Sequence, residues 1–105
     1  MVKIPTSVNL FVNKVKKQLK PVKIILFGSR SKGTARKDSD YDILIVSPTF
    51  KNLSSHNRAV EMYRLHTGDF PLEVICLTPK EFKEMRRTPS FIQEAMKDSI
   101  ILAET

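Results

Sequence analysis

The sequence predicts an α/β fold (α+β), with a small mixed β-sheet packed with helices. Three observations carry this prediction. Residues 24–27, 43–46 and 71–77 are short apolar runs, rich in branched side chains and bounded by Gly, Ser, Pro or Asp, as buried strands are. Apolar residues at helical spacing precede the first run and follow the second and third. The stretch between the second and third runs is long enough for a crossover, so these two strands can be parallel.

A helix is predicted over residues 1–20, and it leads into the first strand at residues 22–27. The apolar residues that follow the helical period are Val8, Phe11, Val12, Val15 and Leu19. Thr6 or Ser7 can cap this helix, and Pro21 ends it. The lysines in its last turn suit the negative end of the helix dipole.

The second half of the chain alternates helices and strands. A helix is predicted over residues 53–66, and Thr78 with Glu81 forms a capping box that starts the helix after the third strand. Another helix is expected to start at residues 88–89, and a short edge strand is expected at residues 100–103. The apolar residues of the last two helices are expected to be core residues: Phe82, Met85, Phe91, Ile92, Ala95 and Met96.

Length and charge narrow the class of protein. A chain of 105 residues predicts one domain, residues 1–105. The net charge of +7 is uneven, because residues 1–37 carry ten basic residues and no acid, whereas the rest carry eight basic and eleven acidic residues. A basic half of this kind attracts nucleic acid, nucleotide phosphates or an acidic protein surface. A solvated helix face explains the lysines before residue 21 equally well.

Cysteine and histidine usage favours neither a disulfide nor a histidine–cysteine metal centre. Cys76 is the single cysteine and lies in an apolar run, so it is expected to be a buried thiol. His56 and His66 lack metal-ligand spacing and are expected to be ordinary surface residues. Because no signal peptide and no membrane-length apolar segment is visible, a soluble cytoplasmic protein is expected.

The connection between the first two strands carries more chemistry than a turn needs. Asp40 and Asp42 lie two residues apart at the start of the second strand, so their side chains point to the same side. Two carboxylates on one face raise each other's pKa unless a positive charge lies between them. A divalent cation is the usual solution, and such oxygen ligands suit magnesium together with substrate phosphates.

Gly28 and Ser29, at the end of the first strand, are suited to phosphate binding. Gly28 lets the backbone approach a ligand closely, and Ser29 can cap a short helix over residues 30–32 whose N–H groups face an anion. If the first two strands pair antiparallel, this cradle and the aspartates share one pocket. The basic loop at residues 32–37 is open to three interpretations: a triphosphate site, a nucleic-acid contact or a solvated turn.

The order Gly-Ser, a second Gly, a basic loop and Ser-Asp-x-Asp before aliphatic residues resembles the signature of the DNA polymerase beta-type nucleotidyltransferase superfamily. At 105 residues, the chain is similar to its small prokaryotic branch, the minimal nucleotidyltransferases often encoded beside HEPN-domain proteins. The matching residues are Gly28, Ser29, Gly33, Ser39, Asp40 and Asp42. Lys32 stands where the family usually has Arg, which keeps the charge but loses the bidentate fork. The order of the predicted elements is also similar to this fold.

The resemblance implies transfer of a nucleoside monophosphate, AMP from ATP, to an acceptor hydroxyl with the help of two Mg²⁺ ions. It implies that Asp40 and Asp42 bridge both ions and that Glu73, where the family usually has Asp, completes the catalytic metal site. The alternative for Glu73 is an edge-strand residue that faces water. The implied nucleotide-binding residues are Gly28, Ser29, Arg30, Lys32, Gly33 and Ser39.

The implied partners are ATP or another nucleoside triphosphate and a HEPN-domain protein. Members of this branch resemble antitoxins that adenylylate a HEPN toxin on tyrosine. Two other classes stay open: a non-catalytic antitoxin that masks its partner with a degenerate nucleotide site, and a basic nucleic-acid-binding module. The last is not favoured, because exposed aromatic residues do not alternate with the basic ones. A homodimer is allowed, and no membrane contact is expected.

Overall fold

A four-stranded sheet with helices on both faces makes up the computed structural model, which describes residues 2–105. The helices are α1 (Thr6–Gln18), α2 (Ser29–Lys32), α3 (Ser55–Arg64), α4 (Pro79–Arg87) and α5 (Phe91–Ala95). The strands are β1 (Lys23–Phe27), β2 (Tyr41–Val46), β3 (Leu72–Leu77) and β4 (Ile100–Glu104). Short 3-10 turns cover Pro48–Asn52 and Met96–Asp98. Within residues 2–105, no helix has the length and apolar character needed to cross a membrane.

The sheet is mixed, as the sequence predicts. Its strand order is β3-β2-β1-β4, with β1 antiparallel to both β2 and β4, and β2 parallel to β3. Helix α3 lies in the crossover that makes the parallel pair possible. The antiparallel pairing places the end of β1 beside the start of β2. The parallel pairing places the start of β3 beside the start of β2, so all three lie at the same end of the sheet.

Side chains of the central strands point alternately to the two faces of the sheet and pack into two separate cores. On one face, Ile43 and Ile45 pack with α1 and α3, represented by Phe11 and Met62. On the other face, the second core contains Leu44 and Val46 of β2 together with side chains of α4 and α5. Because side chains alternate along a strand, Asp42 lies on the α4–α5 face, in line with Leu44.

Helix starts differ from the sequence predictions in two places. Helix α1 begins at Thr6, later than predicted, and the predicted first residue, Met1, lies outside the described residues. Pro5 takes the cap position without a side-chain cap, so the predicted cap by Thr6 or Ser7 is wrong. Helix α5 begins at Phe91 because the Ser90 hydroxyl accepts a hydrogen bond from the Gln93 N–H. The capping box at the start of α4 is confirmed.

Two expectations for single side chains are confirmed and one is wrong. Cys76 is a free, buried thiol, and burial raises its pKa to about 12. His56 is exposed. His66 is not an ordinary surface residue, because its ring is half-buried and packs edge-on against Phe70 with centroids 4.5 Å apart.

Candidate active site

Gly28 forms a sharp turn where β1 ends and α2 begins. Its φ is +77°, in the region that favours glycine, and its carbonyl oxygen accepts hydrogen bonds from the N–H groups of Ser31 and Lys32 at 3.1 and 3.3 Å. The Ser31 hydroxyl donates to the same oxygen at 2.8 Å. Gly28 itself is the N-cap and Ser29 is the first helical residue, so the predicted cap by Ser29 is wrong.

A second feature of Gly28 is its contact with Asp42. The register of β1 and β2 pairs Phe27 with Asp42, which brings the carboxylate against the turn. A Cβ atom built on Gly28 would overlap the Asp42 Oδ2 atom. The absence of a side chain at residue 28 is therefore what allows the carboxylate to lie there.

Three carboxylates approach this turn from two neighbouring strands. The parallel register pairs Asp42 with Glu73, and Asp40 precedes β2 on the same side by alternation. Asp42 is half-buried, whereas Asp40 and Glu73 are exposed. Among residues 2–105, none of the three forms an ion pair with a basic side chain.

The pKa of Asp42 reflects its burial and the uncompensated negative charge of these three carboxylates. Burial raises the pKa of Asp42 above its ordinary value, and the negative charges of Asp40 and Glu73 raise it further. A divalent cation would offset both the burial of the Asp42 charge and its repulsion from Asp40 and Glu73, so the donor chemistry fits magnesium. Over the described part of the chain, however, no three His, Cys, Asp or Glu side chains lie close enough together to hold a metal ion.

A cavity of about 380 Å³ opens in front of Asp42 and Glu73. Its lining consists of Phe27, Gly28, Lys32, Asp42, Glu73, Ile75, Phe91, Glu94 and Ala95. It therefore joins the Gly28 turn, one basic residue, two carboxylates of the cluster and an apolar wall. Of the predicted site residues, Ser29, Arg30, Gly33, Ser39 and Asp40 do not line it.

Arg30 and Ser39 hold the loop between α2 and β2. The Arg30 guanidinium donates to the Ser39 carbonyl oxygen at 2.9 and 3.2 Å and to the Lys37 carbonyl oxygen at 3.1 Å. It also lies 4.4 Å above the ring of Tyr41. The Ser39 hydroxyl accepts a hydrogen bond from the Arg36 N–H at 2.8 Å. The loop that leads to Asp40 is thus fixed from within, and a nucleotide contact of Arg30 or Ser39 stays a prediction.

Lys32 and Gly33 lie at the C-terminal end of α2. Gly33 ends α2 in the left-handed conformation, with φ +76°, and its N–H donates to the Ser29 carbonyl oxygen. Lys32 directly precedes it and lines the cavity. Helix α2 is therefore capped by a glycine at each end, and a loop leads from Gly33 to β2.

Sequence reasoning missed the wall of the cavity that α5 provides. Phe91 is 64% exposed and lines the cavity, so its expected place in the core is wrong. The same expectation is wrong for Met85 of α4, which is 40% exposed. Ile92, the neighbour of Phe91, is buried as expected. Neighbouring residues of a helix point in different directions, and in α5 Ile92 packs into the core on the α4–α5 face whereas Phe91 lines the cavity.

The fold and this site together define a class of protein. A mixed sheet with a glycine turn after the first strand, followed by carboxylates on the next two strands, is the arrangement that the resemblance to nucleotidyltransferases implies. The chain matches the nucleotidyltransferase domain family over residues 8–102 and belongs to that family. No curated protein matches the chain.

Several solved structures share this fold. A protein from Sulfolobus solfataricus described as a candidate nucleotidyltransferase has a TM-score of 0.68 and 24% identity, over 93% of this chain and 78% of that one. Another protein described as a candidate nucleotidyltransferase has a TM-score of 0.56 and 31% identity, over 79% of this chain and 90% of that one. A toxin–antitoxin structure with AMP-PNP has a TM-score of 0.61 and 21% identity, over 96% of this chain and 75% of that one.

Proposed function

We propose that this nucleotidyltransferase transfers AMP from ATP to a hydroxyl group of an acceptor. The acceptor oxygen forms a bond to the α-phosphorus while the bond to pyrophosphate breaks and pyrophosphate leaves. The observation that supports this most is the position of Asp42. It is a half-buried carboxylate between the Gly28 turn and Glu73, and its pKa is raised by burial and by its acidic neighbours. Holding these negative charges together is unfavourable, and a divalent cation that arrives with a nucleotide relieves that cost.

Asp40, Asp42 and Glu73 are the proposed ligands of two Mg²⁺ ions. When bound, such ions neutralise phosphate charge and orient the reacting groups. Asp42 is the fixed donor, because strands pair with β2 on both sides and Gly28 lies against the carboxylate. Asp40 and Glu73 are exposed, so their side chains are free to turn toward Asp42.

The remaining residues of the cavity bind and orient the substrates in this proposal. Lys32 attracts the triphosphate as a point charge, beside the turn formed by Gly28 and Ser29. Glu73 lies on β3, an edge strand, so an acceptor can reach it from the open side of the sheet. There Glu73 accepts the proton of the acceptor hydroxyl or holds that hydroxyl in position.

The first test is Asp42→Asn, which removes one charge with almost no change in shape. We expect magnesium-dependent transfer from ATP to fall on the order of a hundredfold or more, because a preorganised charge at the reacting phosphate is lost. The measurement is release of pyrophosphate or label transfer with purified protein. Asp69→Asn, at an exposed position outside the cavity, is the matched control and should retain activity. Full activity in Asp42→Asn would contradict the assignment.

We propose that the acceptor is a HEPN-domain toxin and that the protein is its antitoxin. The toxin–antitoxin structure with AMP-PNP, which shares the fold over almost the whole chain, supports a role in a toxin–antitoxin pair. The choice of a HEPN-domain toxin rests on the resemblance to minimal nucleotidyltransferases. Incubation of the toxin with this protein, ATP and magnesium should add the mass of one or more adenylates to the toxin. An unchanged toxin mass, with the toxin nevertheless neutralised, would favour a different function.

That second function is a non-catalytic antitoxin. One observation favours it: the three carboxylates do not gather into a metal-binding cluster in the described residues, and Glu73 is exposed at the sheet edge. The two functions are separated by Asp42→Asn in cells that express the toxin. If neutralisation persists with this variant and no adenylate is added to the toxin, masking is the mechanism.

A further inference from the structure

We infer that Phe91 is the platform on which the base of the nucleoside triphosphate stacks. This inference rests on the proposed function and names a substrate contact that the nucleotide motif does not include. The chain has six phenylalanines, and five of them are 7% exposed or less, whereas Phe91 is 64% exposed. An exposed aromatic ring that lines a cavity beside charged side chains is a surface on which a flat ligand can bind.

The position of Phe91 within the cavity supports a base as the ligand. The lining combines charged side chains, which are Lys32, Asp42, Glu73 and Glu94, with apolar side chains, which are Phe27, Ile75, Phe91 and Ala95. A nucleoside triphosphate has the same two kinds of surface, with charged phosphates at one end and a flat aromatic base at the other. Binding of the phosphates beside Lys32 leaves the apolar side chains around Phe91 for the base.

The position of Phe91 relative to the strands also favours a contact with the nucleotide rather than with the acceptor. The Phe91 ring packs edge-on against Phe27, the last residue of β1, with centroids 5.9 Å apart and an interplanar angle of 78°. Phe27 directly precedes Gly28, which belongs to the proposed phosphate turn. Glu73, the proposed contact of the acceptor, lies two strands away on β3. The base platform therefore lies on the nucleotide side of the cavity.

Helix α5 holds Phe91 firmly enough for this role. The Ser90 hydroxyl caps the helix through the Gln93 N–H and donates to the Met85 carbonyl oxygen at 2.7 Å. The Gln93 side chain donates to the Arg86 carbonyl oxygen at 3.2 Å, which ties α5 to the end of α4. Ile92 anchors the same turn in the core at 5% exposure. A ring on an anchored helix that also packs against Phe27 loses less conformational entropy when a base binds than a ring on a flexible loop would.

Stacking predicts a preference among bases. A purine covers more of a phenyl ring than a pyrimidine does, and stacking on an aromatic side chain tolerates any base because each has a π-face. We therefore expect the site to bind ATP and GTP more tightly than CTP or UTP. Inorganic tripolyphosphate should bind more weakly than ATP and independently of Phe91.

The experiment compares ATP with magnesium tripolyphosphate in direct binding, by calorimetry, for the wild type and for Phe91→Ala, Phe91→Tyr and Leu10→Ala. Phe91→Ala should weaken ATP binding about tenfold, within the range for loss of one base–aromatic stack, and leave tripolyphosphate binding unchanged. Phe91→Tyr keeps the ring and should bind ATP like the wild type. Leu10→Ala removes a comparably exposed apolar side chain on α1 and should change neither ligand's affinity.

Each outcome decides a different claim. If the wild type binds neither ATP nor tripolyphosphate, the proposed function itself is overturned. If it binds both and Phe91→Ala weakens neither or weakens both equally, the proposed function stands and the base platform is overturned. If ATP affinity is unchanged while transfer to the acceptor falls, Phe91 contacts the acceptor and the inference is wrong. Equal melting temperatures of the variants exclude unfolding as the cause.

Discussion

At the scale of single residues, the Asp42 carboxylate can occupy its place in the site because residue 28 is a glycine. Gly28 has a conformation that other residues rarely adopt, with φ +77° and ψ −158°. It also occupies a place where a Cβ atom would overlap the Asp42 carboxylate. These are two separate reasons for glycine, one conformational and one steric, and a mutation can tell them apart.

Gly28→Ala should destabilise the protein by on the order of 3 kcal/mol and displace Asp42. The conformational part of that cost is independent of Asp42, whereas the steric part requires the carboxylate. In the Asp42→Ala background, Gly28→Ala should therefore cost clearly less. Urea unfolding of the two single variants and the double variant measures this coupling. Gly33→Ala is a useful control, because residue 33 also has a positive φ but an added Cβ meets only Val2 at 3.8 Å.

An equal cost of Gly28→Ala in both backgrounds would contradict the steric argument. It would mean that the carboxylate moves away from an added methyl group at no cost. In that case Asp42 would not be the fixed donor of the cluster.

The carboxylates of the site could be predicted from spacing, but the wall opposite them could not. Strand alternation places Asp40 and Asp42 on one side, and a parallel neighbour brings Glu73 beside them. These are local rules applied to short runs. The exposure of Phe91 depends on what covers α5 in three dimensions, and neither the helical period nor the hydrophobicity of the residue carries that information.

At the scale of elements, one buried arginine joins α3, β3 and α4. Arg58 on α3 is 6% exposed and donates to the Cys76 carbonyl oxygen of β3 at 3.3 Å. It also pairs with the Glu81 carboxylate of α4 at 2.7 Å. The same Glu81 oxygen accepts the Thr78 N–H at 2.7 Å, as the second half of the capping box. The box was predictable from sequence, whereas its partner Arg58 comes from another helix and was not.

Glu81→Gln should make unfolding easier by about 1–2 kcal/mol at neutral pH, because a buried guanidinium loses its charged partner while the amide still caps the helix. The Glu81 side chain is 40% exposed, and solvent screening keeps the cost in this range. Urea unfolding at pH 7 measures it. Glu84→Gln, on the same helix and without an ion pair in the described residues, should cost far less.

The pH dependence of this pair has a definite sign. The hydrogen bond from Arg58, followed by that from the Thr78 N–H, lowers the pKa of Glu81 below its ordinary value of 4.5. The stabilisation is therefore complete above pH 4.5 and is lost as the pH falls through the lower pKa of the folded protein. The difference between wild type and Glu81→Gln in free energy of unfolding should shrink as the pH falls below 4.5. A difference that grows on acidification would contradict the assignment.

At the scale of the whole molecule, the sheet separates the basic helix from the cavity. Helix α1 packs with Ile43 and Ile45 on one face, whereas Asp42 and α5 lie on the other. The order of helices and strands and the mixed sheet could be predicted, because each element has its own period and its own stop. The assignment of α1 to the face opposite the site could not, because periodicity does not say which side of a sheet a helix covers.

This separation leads to a prediction about the basic first third of the chain. Lys16, Lys17 and Lys20 are exposed on and after α1, on the far side of the sheet, where salt screens their charges from the cavity. Changing all three to Gln should leave ATP affinity within about twofold of the wild type. Lys32→Gln removes a charge that lines the cavity and should weaken ATP binding about tenfold.

Calorimetry at physiological salt distinguishes the two variants, and the same proteins then address the purpose of the excess charge. If the triple variant binds ATP normally but loses salt-dependent binding to RNA or to an acidic partner, the lysines serve a second surface. If it weakens ATP binding as strongly as Lys32→Gln does, the argument from opposite faces is wrong. The basic helix would then contribute to nucleotide binding through long-range attraction, despite the sheet that separates it from the site.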